Sequence, residues 1–129
     1  SKKLDNVIFL PYQDNVDFPL AMAAADIGVV TLGRGAEGIS VPSKTYINLA
    51  AGLCLLAIAP KNSELSRLID LHQAGIICEP GDAMGVAEAI GSLLSQETLL
   101  NNYKANAVKA SSHYTSANAM QYVKEVTIN

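Results

Sequence analysis

Four short apolar runs, separated by segments of helical character, constrain the fold of this 129-residue chain more than any other feature. The runs are NVIFL at 6–10, IGVVTL at 27–32, CLLAIA at 54–59 and GIICE at 75–79. Each run is continuously apolar, which is typical of strands in a parallel sheet that helices cover on both faces. The alternation therefore predicts an α/β fold with a Rossmann-like, doubly wound parallel sheet.

The segments between these runs predict helices with recognisable ends. In DFPLAMAAAD, either Asn15 or Asp17 is expected to cap the helix, and Pro19 is tolerated in its first turn. VPSKTYINLAAG is expected to end at Gly52, and SELSRLIDLHQ is expected to begin at Ser63. After the PGD that ends the fourth strand, three further segments read as helices: DAMGVAEAIGSLL, QETLLNNYKANAVKASS and TSANAMQYVKEV.

Composition indicates one soluble globular domain, because half of the residues are hydrophobic and 16% are charged. The net charge is −3 and the nine basic residues are scattered, so no basic patch favours nucleic acid as a partner. The longest apolar run, Leu53–Ala59, is much shorter than the roughly 20 residues of a membrane-spanning helix. A cytoplasmic location is therefore predicted.

Cysteine and histidine give little sign of catalysis or of metal binding. Cys54 and Cys78 match no zinc or redox spacing, and we expect two buried free thiols, with a disulfide as the alternative. His72 and His113 have no Ser or Asp partner at a suggestive spacing, which argues against a hydrolytic triad. No metal and no cofactor are predicted.

The loop GRGAEGIS and the helix after it form the strongest candidate site. In a parallel α/β sheet, ligands bind outside the carboxyl ends of the strands. The glycines allow close approach of the backbone, the helix N-terminus favours an anion, and Ser43 and Lys44 add a hydroxyl and a charge. The glycines match neither GxGxxG nor the P-loop, and Pro42 and Ser43 are also common at helix starts for structural reasons.

Two other loops offer weaker candidates, each with a structural alternative. Glu64, in the first turn of a helix, is either a favourable partner of the helix dipole or an acceptor for ribose or sugar hydroxyls. Tyr12, in PYQDN, is either a packed surface residue or a contact for a nucleotide base.

The order of motifs also resembles a known family of enzymes. NVIFLPYQ, LAMAAADIGVVTL, VPSKTYINLAAG, SELSRLI and AGIICEPGDAMGVAEAI follow one another as in the C-terminal domain of GT-B fold glycosyltransferases. The chain is most similar to retaining family 4, the glycosyl transferases group 1. Within it, the Pro-Ser-Lys-Thr-Tyr and Leu-Ala-Ala-Gly resemble a branch found in bacterial exopolysaccharide and O-antigen synthesis.

The resemblance implies a two-domain glycosyltransferase of the hexosyltransferase type, whose C-terminal half binds a UDP-, GDP- or dTDP-linked sugar. Residues 1–129 would be a single partial domain of that half, and the missing N-terminal domain would hold a saccharide or lipid-linked acceptor. The isolated fragment is expected to be inactive. A lipid-linked acceptor would also bring the enzyme to the inner face of the membrane, as a peripheral protein.

Roles carried over from the family fall on three groups of residues. The donor diphosphate is assigned to Ser40, Ser43 and Lys44, and Lys44 is the expected catalytic residue because charge grows on the leaving diphosphate. The donor sugar and ribose are assigned to Glu37, Gly38 and Glu64. The base is assigned to Tyr12 and Gln13.

This chain departs from the family at the two positions where many members carry glutamates, the second of which binds ribose. Aligned on LAAG, those positions are Ile39 and Ile47. Two other readings therefore stay open: a sugar-nucleotide epimerase of GT-B-like fold, and a non-catalytic nucleotide-binding or interaction domain.

Overall fold

The architecture is a parallel sheet with helices on both sides. The computed structural model of the protein describes residues 4–36, 38 and 40–117. In chain order the helices and strands are α1 (Asp17–Ala23), β1 (Ile27–Thr31), α2 (Ser43–Ala50), β2 (Cys54–Ile58), α3 (Glu64–His72), β3 (Gly75–Cys78), α4 (Ala83–Ser95) and α5 (Glu97–Ser111).

The three strands are parallel and lie in the order β1-β2-β3. Their carboxyl ends are level, because Thr31 pairs with Ile58 and Ile58 pairs with Cys78. The predicted α/β, Rossmann-like fold is confirmed, and the apolar runs at 27–32, 54–59 and 75–79 form its strands.

The prediction of a strand at 6–10 is wrong. These residues adopt no regular structure and are exposed, with Ile8 at 81% and Phe9 at 92%. A strand needs the backbone of a neighbouring strand to complete its hydrogen bonds. In the described sheet β1 pairs only with β2, and residues 6–10 do not pair with the other edge of β1. Apolar composition alone does not make a segment join a sheet.

The cap of α1 also differs from the expectation. The carboxylate of Asp14, rather than Asn15 or Asp17, closes this end: its Oδ1 accepts hydrogen bonds from the backbone N–H groups of Val16 and Asp17, each at 2.9 Å. These bonds, that from Asp17 first, lower the pKa of Asp14. The other helix ends agree with the sequence, since Ser63 caps α3 and Gly52, at φ 70°, follows the end of α2.

Two clusters of apolar side chains lie on opposite faces of the sheet. The larger joins the sheet to α2, α3 and α5, and the smaller joins it to α4 through Leu56, Cys78 and Ala89. The larger cluster comprises Val30, Leu32, Leu49, Leu55, Ala57, Ala59, Leu65, Leu68, Ile69, Ala74, Ala107 and Ala110. Covered faces explain why the strands read as continuous apolar runs.

Close packing fixes α2 against β1. Gly28 lies directly under Asn48 of α2, and a Cβ at Gly28 would overlap the side-chain amide of Asn48. Glycine therefore allows the helix to approach the strand at this point. The position of α2 matters because its N-terminus is the strongest candidate site.

Several remaining predictions can also be compared with the structure. Both cysteines are buried free thiols, as expected. Two of the three closing helices are observed as α4 and α5. The third, TSANAMQYVKEV, lies almost wholly outside the described residues. In the described part of the chain, no helix is long and apolar enough to cross a membrane.

Candidate functional site

Three loops meet at the carboxyl edge of the sheet: 32–42 after β1, 59–63 after β2 and 79–82 after β3. Two of them are tied to each other, since the backbone N–H of Lys61 donates to Oε1 of Glu79 at 3.1 Å. In the loop after β3, Asp82 caps α4 by accepting a hydrogen bond from the Gly85 N–H at 2.9 Å. These carboxylates thus have structural partners.

The loop after β2 has a closed network of its own. The Ser63 hydroxyl accepts from the Ser66 N–H at 3.2 Å and donates to the Ser66 hydroxyl at 3.0 Å. The Ser66 hydroxyl donates in turn to the carbonyl of Pro60 at 2.9 Å. Both serines are fully buried, so this network holds the loop and leaves no hydroxyl for a ligand.

The N-terminus of α2 is built differently. Pro42 precedes the helix in an extended conformation (φ −56°, ψ 135°), and no side chain caps this end. The Thr45 N–H donates to the Pro42 carbonyl at 2.9 Å. Ser43 is the first helical residue and does not act as the cap. Ser43 and Lys44 are both exposed, and the first turn holds no acidic residue.

This arrangement brings like charges together. The N-terminus of a helix carries a partial positive charge, and Lys44 adds a full positive charge in the same turn. A cation there is unfavourable by a few tenths of a kcal/mol up to about 1 kcal/mol. An anion bound at this end would instead be favourable, because the helix N-terminus and Lys44 would both attract the anion.

Thr45 is a feature that sequence reasoning missed. Its side chain is fully buried under the first turn of α2, and its Oγ1 has no hydrogen-bond partner. A buried hydroxyl without a partner costs about 1–3 kcal/mol. In the sequence, only its position three residues after Pro42 indicated that Thr45 lies in the first turn of the helix.

The glycine-rich loop shows one of the expected backbone features. Gly35 has φ 93°, a conformation that favours glycine, whereas neither Gly33 nor Gly38 has a positive φ. Gly38 and Ser40 are exposed. The assigned Glu37 lies outside the described residues, as does Ile39.

Glu64 has a structural partner. It is the first residue of α3, where a carboxylate favours the helix dipole, and its Oε1 accepts a hydrogen bond from Arg67 in an ion pair within the same turn. Both side chains are about half exposed or more. This geometry supports the structural alternative for Glu64, and the assigned role with ribose or sugar stays a prediction.

The residues assigned to the base lie in the exposed segment before α1. Tyr12 is 96% exposed. Gln13 turns back on its own backbone, with its side-chain amide donating to the Pro11 carbonyl at 2.7 Å. The structure therefore places Ser43 and Lys44 together in the first turn of α2. It places Tyr12 and Gln13 in another segment, before α1.

Ile47 lies one turn beyond Ser43 on α2 and is 42% exposed. It contributes to an apolar groove between α1 and α2 with a volume of about 240 Å³. The groove is lined by Phe18, Pro19, Met22, Ala23, Ile47 and Ala51. None of these side chains can form a hydrogen bond with a ribose hydroxyl, so Ile47 presents an apolar surface to this groove.

The thiols are poor nucleophiles. Burial raises the pKa of Cys54 to about 11, and the nearby Lys104 only partly opposes this effect. Burial, together with the neighbouring Asp82, also raises the pKa of Cys78. The thiolate forms are therefore scarce at neutral pH. Among the described residues, no group of three or more His, Cys, Asp or Glu side chains is placed to hold a metal ion.

The fold is that of Rossmann-like α/β domains, in which ligands bind at the carboxyl ends of parallel strands. The family described as glycosyl transferases group 1 matches residues 1–110. The chain belongs to this family, and the resemblance to group 1 is confirmed.

One curated relative indicates how much of a full-length protein the chain represents. The chain is 40% identical over 72 residues to "Probable glycosyltransferase WbjE" of Pseudomonas aeruginosa. The match covers 56% of this chain and 18% of that relative. The matched region is thus less than a fifth of the relative's length. No solved structure matches.

Proposed function

We propose that this chain is the donor-binding part of a glycosyltransferase, and that the first turn of α2 holds the diphosphate of a nucleotide sugar. The observation that carries the proposal is the N-terminus of α2, which lacks a side-chain cap and has Ser43 and Lys44 in its first turn. It lies at the carboxyl edge of the sheet, the edge at which open α/β sheets bind ligands.

The other loops at this edge favour the same choice. The hydroxyls after β2 bond to each other and to the backbone, and the carboxylates after β3 bond to backbone N–H groups. The first turn of α2 instead offers exposed donors and a positive charge. A diphosphate, with several acceptor oxygens and a negative charge, is the ligand that these groups complement.

The proposed chemistry is stabilisation of a leaving group. When the bond between the sugar carbon and the diphosphate oxygen breaks, its electron pair stays on the diphosphate. The Lys44 ammonium and the helix N-terminus would attract this growing charge more strongly in the transition state than in the ground state. Lys44 is therefore the proposed catalytic residue, with Ser43 and Ser40 as further hydroxyl donors.

The remaining donor contacts follow from the family resemblance. Tyr12 and Gln13 are proposed to lie beside the base, and Glu37, Gly38 and Glu64 beside the sugar and ribose. Glu64 would have to leave Arg67 in order to accept a ribose hydroxyl, an exposed ion pair that costs about 1 kcal/mol or less to break. Because Ile47 is apolar, the ribose would bind without a carboxylate from that position.

The role of the whole protein is proposed on the same basis. The parent would be a hexosyltransferase of GT-B fold from the Pro-Ser-Lys branch, acting in polysaccharide biosynthesis on a saccharide or lipid-linked acceptor. An N-terminal domain would hold that acceptor, and this chain alone would not transfer sugar. We propose a cytoplasmic enzyme that reaches the inner face of the membrane through its acceptor.

A non-catalytic nucleotide-binding domain is the second candidate. Ile47 favours it, because a carboxylate that commonly binds ribose is replaced by an apolar side chain in the groove beside α1. Such a domain would bind a nucleoside diphosphate but would have no need of Lys44 for turnover.

A transfer assay with the full-length parent separates these functions. UDP-, GDP- and dTDP-linked sugars would be supplied with a mixture of saccharide and lipid-linked acceptors, and the released nucleoside diphosphate would be measured. We expect release with one donor class and a decrease of at least 10-fold in Lys44→Ala. Lys109→Ala removes the same charge from the last turn of α5 and should retain activity. Equal activity in the two variants would exclude the catalytic role of Lys44.

A further inference from the structure

Four aromatic rings meet at the end of α5. Tyr46 belongs to α2 and His72 is the last residue of α3. His113 and Tyr114 follow α5 directly, and their backbone N–H groups donate to Ala110 and Ser111 at 3.0 Å each. We call these four side chains the aromatic cluster.

Short contacts connect the rings in a chain. Nε2 of His72 lies 2.8 Å from the hydroxyl oxygen of Tyr114, within hydrogen-bond distance. The His72 and His113 rings stack, with centroids 5.5 Å apart and an angle of 24° between their planes. On its other side, Tyr114 packs against Tyr46 at 5.1 Å. The segment after α5 is thus attached to both α2 and α3.

The two histidines of the cluster lie at the edge of the sheet opposite the proposed diphosphate site, whereas Tyr46 lies on α2, one turn after Ser43. α3 begins after the carboxyl end of β2 and ends before the amino end of β3, so His72 lies towards the amino edge of the sheet. Ser43 and Lys44 lie at the carboxyl edge. His72 and His113 can therefore be changed without altering the first turn of α2, and the cluster can be tested apart from donor binding.

The surroundings of His72 in the cluster shift its pKa. Partial burial lowers the pKa of His72, and the neighbouring His113 lowers it further. Burial and the neighbouring Tyr46 raise the pKa of Tyr114. The hydrogen bond and the ring contact between His72 and Tyr114 therefore involve a neutral phenol. Among the described residues, His72 contacts the titratable side chains of His113 and Tyr114, and Tyr46 contacts Tyr114.

We propose that the aromatic cluster is a pH-sensitive clasp, which holds residues 112–117 against α2 and α3 at neutral pH and releases them when its imidazoles are protonated. Protonation of both stacked rings places two positive charges about 5.5 Å apart. It also charges an imidazole that is partly removed from water.

The direction of the pH dependence follows from the folded and unfolded states. The pKa of His72 in the folded protein is below its ordinary value of 6.5. The folded state therefore disfavours the protonated form, and the contribution of the clasp is fully present above pH 6.5. It is lost as the pH falls through that value towards the lower pKa of the folded state.

Hydrogen exchange measured by mass spectrometry tests the clasp in the intact chain. With intrinsic exchange corrected for pH, we expect the protection of residues 112–117 to fall several-fold between pH 7.5 and pH 5.5, while β2 stays unchanged. Tyr114→Phe keeps the ring contacts and removes the hydroxyl, and it should lower protection at pH 7.5. Protection that is absent at pH 7.5, or equal at the two pH values, would overturn the proposal.

A matched variant separates charge from packing. His113→Gln is neutral at every pH, so it should raise the pKa of His72 towards 6.5 in an NMR titration and weaken the pH dependence of exchange. A purely structural contact would leave the pKa of His72 unchanged in this variant, and that result would also contradict the clasp. Circular dichroism would establish that each variant is folded.

Discussion

Replacement of Gly28 by alanine tests the packing that positions the candidate site. The new Cβ would overlap Nδ2 and Cγ of Asn48, so either the Asn48 side chain or the whole of α2 must move. Overpacking of this kind costs about 1–3 kcal/mol, and the better strand propensity of alanine returns about 0.5–1 kcal/mol. We expect a net loss of about 1–2 kcal/mol.

The assay is thermal or denaturant unfolding of the chain. For a protein of this size the loss corresponds to a decrease in Tm of roughly 4–8 °C. The double variant Gly28→Ala with Asn48→Ala keeps only the Cβ of residue 48, which would lie 3.1 Å from the new methyl group, and should recover most of the loss relative to Asn48→Ala alone.

Gly91 supplies the control. It lies in α4, and an added Cβ would meet no atom within 4 Å. Gly91→Ala should therefore stabilise the protein by up to about 1 kcal/mol through helix propensity. If Gly28→Ala were as stable as the wild type, or stabilised the protein as Gly91→Ala should, the close approach of α2 to β1 would be refuted.

Two further predictions concern side chains near the core. Ser63→Ala removes the cap of α3 and the bond to Ser66, so it should destabilise the protein by about 1–2 kcal/mol in urea unfolding, whereas exposed Ser95→Ala should change stability little. Because burial raises its pKa to about 11, Cys54 should react with iodoacetamide at pH 8 much more slowly than a free thiol. Rapid labelling of folded protein would contradict its burial, and labelling in denaturant is the control.

Much of the fold was predictable because local signals and burial agree. IGVVTL, CLLAIA and GIICE are mostly apolar, and helices pack on both faces of the sheet, so the apolar runs identified three strands. Ser63 and Gly52 mark helix ends by chemistry that acts within a few residues. These features depend on neighbours in sequence, and a single sequence contains that information.

The two errors concern one long-range feature and one local feature. NVIFL has the composition of a strand, but its residues are exposed and do not pair with the open edge of β1. Asn15 and Asp17 were plausible caps by residue type, but the turn places Asp14 where its carboxylate reaches both N–H groups. Residue type alone does not distinguish among three neighbouring polar side chains.

The candidate site shows the same limit. Ser43 and Lys44 were predicted from their place before a helix, and the structure puts them together in its first turn. The burial of Thr45 depends on which side of α2 faces the sheet. The ion pair of Glu64 with Arg67 is a local, exposed contact within one turn, which the sequence analysis did not consider. The assigned contacts with the base and ribose remain predictions.

Titration of the chain with a nucleoside diphosphate, followed by NMR and calorimetry, tests the central proposal most directly. UDP, GDP and dTDP should be compared at low salt. We expect the largest amide shifts at Ser43, Lys44 and Thr45, and Lys44→Ala should weaken binding by about 1–3 kcal/mol, or about 5- to 150-fold. Lys109→Ala should bind as the wild type does. Unchanged affinity in Lys44→Ala, or shifts confined to other loops, would contradict a diphosphate site at the N-terminus of α2.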